Sequence, residues 1–386
     1  MPVSDSQALV FGAGKIARGF IAHLLALSGY AVTFVERSPE LVAALRRRGR
    51  YLVEIMGAPE KSMVIEGFGV LGCGETEAIA AQVATATVIF VSVGGPNLPG
   101  IAAVLAEGLR RRTEPVNVIL CENYFQPGQW LRRLIAERLA PAEAQWCANN
   151  VGIVETMVLR SVIEPPPDLH SQDPLALKAQ DMWELPADKQ AFVGAIPDIM
   201  GLAPKENFQG GLVRKLFTYN AINAVISYIG RLKGYEVLSD AANDPELEAL
   251  ARQASEEVAP ALCREFGFDP EDQRRFAESA IAKYQQREIV DPIERNARDP
   301  IRKLGRHDRL VGPACLALEH GVTPAALSTA IAAALRYDCP EDPSAVRLQQ
   351  TIRDGGLAAA LRQVCGIEPE SELGKLIAAG YREVAR

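Results

Sequence analysis

Histidine is scarce in this sequence: His23, His170, His307 and His320 are the only four in 386 residues, and they stand far apart. Neither an H-x-x-x-H pair nor a Cys/His cluster is present, so zinc chemistry lacks its ligands and no metal is expected. The seven cysteines, Cys73, Cys121, Cys147, Cys263, Cys315, Cys339 and Cys365, are odd in number and never spaced as C-x-x-C. That fits reduced thiols, each a small buried hydrophobe. Positive charge is in deficit, with a formal net charge of −7. A chain of this balance does not take nucleic acid as its main partner, although a local basic pocket for an anionic substrate remains open. No apolar run reaches membrane-spanning length, and MPVSDSQ lacks the charged and apolar regions of a signal peptide. A cytoplasmic protein with no membrane partner is therefore expected. Solenoid repeats and low-complexity stretches are also missing.

What is present is length enough for two cores. Through residues 1–196 apolar strands alternate with helical stretches, the βαβ pattern of a parallel sheet covered on both faces. Strands are expected at Ala8–Phe11, Ala31–Val35, Val88–Val93 and Val116–Leu120, and again within Gly152–Ile163. Tyr51–Ile55 and Met63–Gly67 read as a hairpin appended to the sheet, and Leu175–Leu185 as a further strand pair. Helices are expected from Lys15 to Ser28 and from Pro39 to Arg48, the second capped by Ser38 and closed by Gly49. Pro165–Pro167 should carry the chain outward. From about Pro197 alanine- and leucine-rich amphipathic segments take over without strand-like alternation. The fold class is thus an α/β Rossmann-type N-terminal domain, 1–196, followed by a mostly α-helical C-terminal domain, 197–386.

The stretch ALVFGAGKIARG carries the first chemistry. Gly12, Gly14 and Ala17 fill the small positions of the G-x-G-x-x-G/A dinucleotide fingerprint: a tight turn, a close backbone approach to pyrophosphate, and close helix–strand packing. The following helix N-terminus offers partial positive charge to phosphates. Glu36 lies twenty-two positions beyond Gly14, at the end of the second apolar run, where a carboxylate accepts hydrogen bonds from a ribose diol and repels a 2′-phosphate. This favours NAD over NADP, while Arg37 beside it could pair with such a phosphate. Val93 and Gly94 end the third buried run at the ligand edge of the sheet. The expected cofactor contacts are Phe11, Gly12, Ala13, Gly14, Lys15, Ile16, Glu36, Arg37, Val93 and Gly94.

Lys215, Asn220 and Asn223 share one expected helix, LVRKLFTYNAINAVISYIG. At regular α winding the two amides project about 140° and about 80° round from the lysine, within one broad face. From spacing alone, interhelical hydrogen bonding and a snorkelling lysine are the favoured account of them.

With these residues in view the chain resembles the polyol-specific long-chain dehydrogenases, closest to the members acting on mannitol 1-phosphate. The matching stretches are FGAGKIARGF, the CEN of Cys121–Asn123, DPL at Asp173–Leu175 with WELPADK following, RKLFTYNA at Arg214–Ala221, and DPIRKLGRHDRL at Asp299–Leu310. The resemblance implies an active site in the cleft between the domains and metal-independent hydride transfer between NAD and a secondary alcohol. It implies Lys215 as general base, with its pKa lowered by desolvation or by a cationic neighbour such as Arg214, and Asn123 and Asn220 as donors to the developing alkoxide. The family helix normally continues N-x-x-H; here Asn223 stands at the histidine position as a substrate contact. Arg295, Arg298, Arg302, Lys303, Arg306 and Arg309 gather positive charge suited to a phosphate, with Arg302 and Arg309 taken as substrate contacts. By composition alone a solvated face paired with Glu294, Asp299 and Asp308 is as good a reading. The expected reaction joins mannitol 1-phosphate, or a similar polyol phosphate, to fructose 6-phosphate in a monomer or small homo-oligomer. An unphosphorylated polyol or a hexuronate is the alternative substrate, and a nucleotide-binding protein without turnover the remaining possibility.

Overall fold

The computed structural model describes residues 6–123, 126–165, 170 and 173–383, and it divides into two compact units, Met1–Phe208 and Gln209–Arg386. In the first unit six strands form one sheet in the order β5-β2-β1-β6-β7-β8, with every pairing parallel. They are β1 Gln7–Phe11, β2 Ala31–Glu36, β5 Gly69–Gly72, β6 Val88–Val91, β7 Val116–Leu120 and β8 Val151–Glu155. These strands read as unbroken apolar runs because both sheet faces are covered. Alternate residues feed opposite cores: Ala8, Val10, Val88 and Phe90 enter one, and Leu9, Phe11, Ile89 and Val91 the other. Phe11 is level with both Val35 and Val91, and Leu120 with Val91. The chain therefore leaves β1, β2, β6 and β7 at one common edge, which gathers Gly12, Glu36, Ser92 and Cys121.

The hairpin forms, but not where it was expected. Strands β3 Arg50–Met56 and β4 Met63–Glu66 pair antiparallel in a separate sheet, ordered β4-β3-β10-β9, with β9 Val162–Ile163 and β10 Leu177–Gln180. Its place beside β2 is taken by β5, where a Cβ on Gly69 would come within 2.9 Å of the Thr33 hydroxyl. The strand pair sought in Leu175–Leu185 is likewise divided, since β11 Leu185–Asp188 pairs with β12 Leu202–Lys205 in a third, two-stranded sheet. Pro204 hides β12 from the sequence pattern, because proline suits only an edge. This pairing carries the first unit to Phe208, past the change of texture at about Pro197. Of the triple proline, Pro166 and Pro167 lie outside the described residues.

Among its described residues the second unit contains helices and no strand. The Ala221–Leu232 helix runs through its core, packed by alanine-rich neighbours that include Ala325–Leu335. Local signals fix the long helices. Asp244 caps Pro245–Phe266 by accepting from the Glu246 and Leu247 N–H groups, and Gly267 ends it at a φ of 69°. Asp269 caps Pro270–Tyr284 through the Asp272 N–H. Turns through Gly305–Leu310 separate the short helix Pro300–Lys303 from the one that starts at Val311. No helix of the described residues is long and apolar enough to cross a membrane.

Candidate active site

At the common strand edge the glycine loop is built as its residues require. Gly12 has a φ of 94°, and a Cβ there would lie 2.2 Å from the Ser92 carbonyl oxygen. A Cβ on exposed Gly14 would meet nothing within 4 Å, so the loop is open on the side where a pyrophosphate needs room. Phe11 is buried, Ile16 half-buried, and exposed Lys15 reaches Glu164 at 3.3 Å. Glu36 holds the loop: one carboxylate oxygen accepts the Ala13 N–H at 2.7 Å, the other the Arg37 and Ser38 N–H groups at 2.8 and 2.9 Å. A carboxylate has about four acceptor positions, so with three taken one stays open to a ribose diol. Exposed Arg37 donates to Asn97 at 3.2 Å, and Asn97 donates to the Val93 carbonyl at 2.7 Å.

Two groups here escaped the sequence reading. Glu122, buried at 8% exposure, accepts the Val93 and Gly94 N–H groups at 2.7 and 3.1 Å. Burial pushes its carboxyl up, against those two N–H donors. Val93 and Gly94 therefore offer a cofactor something other than their N–H groups. Arg18, also buried, donates to the Ala13 and Leu175 carbonyls at 2.7 and 2.6 Å. Nothing local marks either residue, since each is buried by partners remote in sequence. Asn123, directly after Glu122, is exposed and takes no partner among the described residues. Asp173 of the DPL motif is structural, accepting from Leu52 and Leu175 N–H groups and pairing with Arg48.

Beside this edge lies a cavity of about 380 Å³, lined by Phe11, Val35, Cys73, Ile79, Ile101 and Val104 among others. Cys73 departs from the expected pattern of buried thiols: it is exposed, with Cys263 and Cys315 half-buried and the other four buried.

In the second unit the geometry changes one expectation in substance. The helix that starts at Phe208 does not continue as regular α winding past Lys215; Leu216–Asn220 forms a π turn before Ala221–Leu232 resumes. A π turn closes over about five residues instead of about four, so residues five apart stand as residues four apart do elsewhere. Lys215, Asn220 and Asn223 consequently line up as a single narrow stripe, not the broad face that uniform winding predicts.

Lys215 is half-buried, and its ammonium is driven down to about 8 by burial first, then by Lys283 and Arg309. Arg214, expected as the cationic neighbour, is committed elsewhere. It pairs with Asp272 at 2.8 Å, donates to Gln273 at 2.7 Å and stacks 4.2 Å from the Phe276 ring centre. Asn220 is half-buried without a partner among the described residues, whereas Asn223 donates to the Asn296 side chain at 3.1 Å. The basic segment is partly neutralised. Arg302 pairs with Asp299 and Asp308, and Arg309 pairs with Asp308 through Nε. Glu294 pairs with Arg231 instead. Lys303, which the sequence reading grouped with the solvated arginines, is buried, donates to the Asn296 carbonyl, and is pushed down to about 7 by burial, Arg309 and Arg302.

A glycine-loop Rossmann unit followed by a helical unit is the arrangement of a class of nicotinamide-dependent dehydrogenases. The mannitol dehydrogenase Rossmann domain matches residues 6–201 and the mannitol dehydrogenase C-terminal domain residues 211–383. The chain belongs to the mannitol dehydrogenase family, and with it to the oxidoreductases. It is 36% identical to the mannitol-1-phosphate 5-dehydrogenase of Bacillus licheniformis over 96% of its length and 98% of that protein. It is 34% identical to the enzyme of that name from Brevibacillus brevis, over 98% of its length and 97% of that protein. In fold it resembles a D-sorbitol dehydrogenase at a TM-score of 0.82, with 17% identity over 100% of this chain and 95% of that one. It also resembles the Pseudomonas fluorescens mannitol 2-dehydrogenase at 0.77, with 18% identity over 98% and 92%.

The glycine loop supplies a prediction. Gly12→Ala forces a side chain into the Ser92 carbonyl at an unfavourable φ and should cost about 2 kcal/mol or more in urea denaturation. Gly14→Ala, with open space around it, should leave that stability within about 1 kcal/mol while weakening binding of a nicotinamide cofactor.

Proposed function

We propose that this protein interconverts mannitol 1-phosphate, or a closely similar polyol phosphate, and fructose 6-phosphate with NAD as cofactor. The observation that carries the reading is the stripe of Lys215 and Asn220, one depressed amine and one amide without a partner among the described residues, in a chain about one-third identical to enzymes of that name over nearly its whole length. Glu36 supports NAD, because its carboxylate sits at the end of β2 with one acceptor position to spare and disfavours a 2′-phosphate. The cavity beside Phe11 and Val35 suits the adenine. When bound, the nicotinamide accepts or supplies the hydride.

The chain's own residues do the rest. Lys215 takes the hydroxyl proton during oxidation and returns it during reduction. Asn220 and Asn123 donate to the oxygen as it gains negative charge, without adding a titrating group. Asn223, fixed by Asn296, orients a neighbouring hydroxyl, and Arg309 and Lys303 favour an anionic group near the lysine.

Initial rates with fructose 6-phosphate and NADH test the reading; no turnover there would overturn it. The pairing of Arg302 and Arg309 with Asp299 and Asp308 favours a second reading, an unphosphorylated polyol, whereas a hexuronate would bring its carboxylate to the same arginines. Competition by inorganic phosphate against substrate distinguishes the two, since only a phosphate-binding site is blocked by it.

A further inference from the structure

One face of the Pro270–Tyr284 helix is given over to the segment around Lys215. Gln273, fully buried, uses both ends of its amide there: its oxygen accepts from Arg214 at 2.7 Å and its nitrogen donates to the Thr218 hydroxyl at 3.0 Å. It thus grips one residue immediately before Lys215 and one inside the π turn after it. Two turns further along, Ser279 donates to the Phe276 carbonyl at 2.8 Å and accepts the Tyr219 hydroxyl at 2.6 Å. The Tyr284 hydroxyl then donates to the Tyr219 carbonyl at 3.1 Å. Burial holds the Tyr284 phenol above its usual range, so its proton stays in place to donate. The Tyr219 ring packs 4.7 Å from Phe276.

A π turn disturbs the regular ladder of backbone bonds and persists where other groups serve the backbone it disturbs. Here the hydrogen bonds just described all come from one neighbouring helix, and they fall on Arg214, Thr218 and Tyr219, on both sides of Lys215. We infer that Gln273 and Tyr284 are positioning residues for the reaction: they template the π turn that sets Lys215, Asn220 and Asn223 in one stripe. Without them the segment relaxes towards regular winding, which carries Asn220 and Asn223 round the helix, away from the lysine. The inference rests on Lys215 and Asn220 acting as proposed above.

Tyr284→Phe deletes one hydroxyl and little else, and Gln273→Leu removes the double grip. Each variant should lower kcat for fructose 6-phosphate reduction about ten-fold, leave the dissociation constant for NADH unchanged, and speed amide exchange in residues 216–224 at least several-fold. A merely structural role would not make these effects depend on Asn220. Asn220→Ala should therefore cost much less in a Tyr284→Phe background than alone, because its amide is already displaced. Multiplicative effects, or normal kcat with unchanged exchange in Tyr284→Phe, overturn the inference. Should Gln273→Leu unfold, the conservative Tyr284→Phe still decides. Failure of the underlying reading is seen separately, as a Lys215→Met variant that retains its rate.

Discussion

Lys215→Met is expected to lower kcat by about 10³-fold in both directions while NADH still binds, because on the proposed mechanism it removes the proton-transfer group and keeps the length of the stem. On the same mechanism the depressed pKa sets how the wild-type rate should vary with pH. With an ammonium at about 8, a tenth or so of the lysine is neutral at pH 7, against a few parts in ten thousand at an ordinary lysine value. Polyol oxidation needs the neutral amine, so its kcat/KM should climb through about pH 8 and level off above it. Reduction needs the ammonium, so its rate should be flat at lower pH and fall through the same region. The two profiles are measured with one enzyme preparation in opposite assay directions. Profiles that move together, or a Met variant with substantial rate, would remove Lys215 from the chemistry.

The second large effect belongs to the amides. Asn220→Ala and Asn123→Ala should each lower kcat about 10²-fold, the usual loss when one donor to a developing oxyanion is removed. Neither amide has a partner among the described residues, so neither substitution orphans a buried group, and thermal stability should hardly change. Asn223→Ala provides the contrast. It strips the Asn296 side chain of its donor, so it should cost stability as well as substrate KM. Equal losses of kcat and stability across all three variants would argue that the amides only hold helices together.

The sequence displays those parts of this molecule that are set by neighbours along the chain. Gly12, Glu36 and the Ser38 cap are legible because turn chemistry, strand ends and caps are local, and Ser38 does accept the Leu41 N–H as its spacing requires. The π turn is not legible: projecting side chains at uniform winding assumes the regularity that Leu216–Asn220 lacks, and the groups that hold it lie about sixty residues downstream. Buried charge is invisible for a related reason. Arg160 sits between Phe20 and Trp183, 4.8 and 4.3 Å from their ring centres, and Lys303 lies inside a segment whose composition reads as surface. The second sheet joins β3 to β10 across more than a hundred residues, so alternation revealed its strands but not their partners. Recognising RKLFTYNA picked out Lys215, but the three-dimensional structure was needed to replace Arg214 with Lys283 and Arg309 as the neighbours that depress it.

Cys73 has a practical consequence. Its sulfur is the one exposed thiol among the described residues, and it borders the hollow at the ends of β1 and β2. A maleimide dye would attach at the rim of that hollow in the natural chain, with no engineered cysteine. Fluorescence from this single label would report whether the hollow is filled, even in variants that cannot turn over.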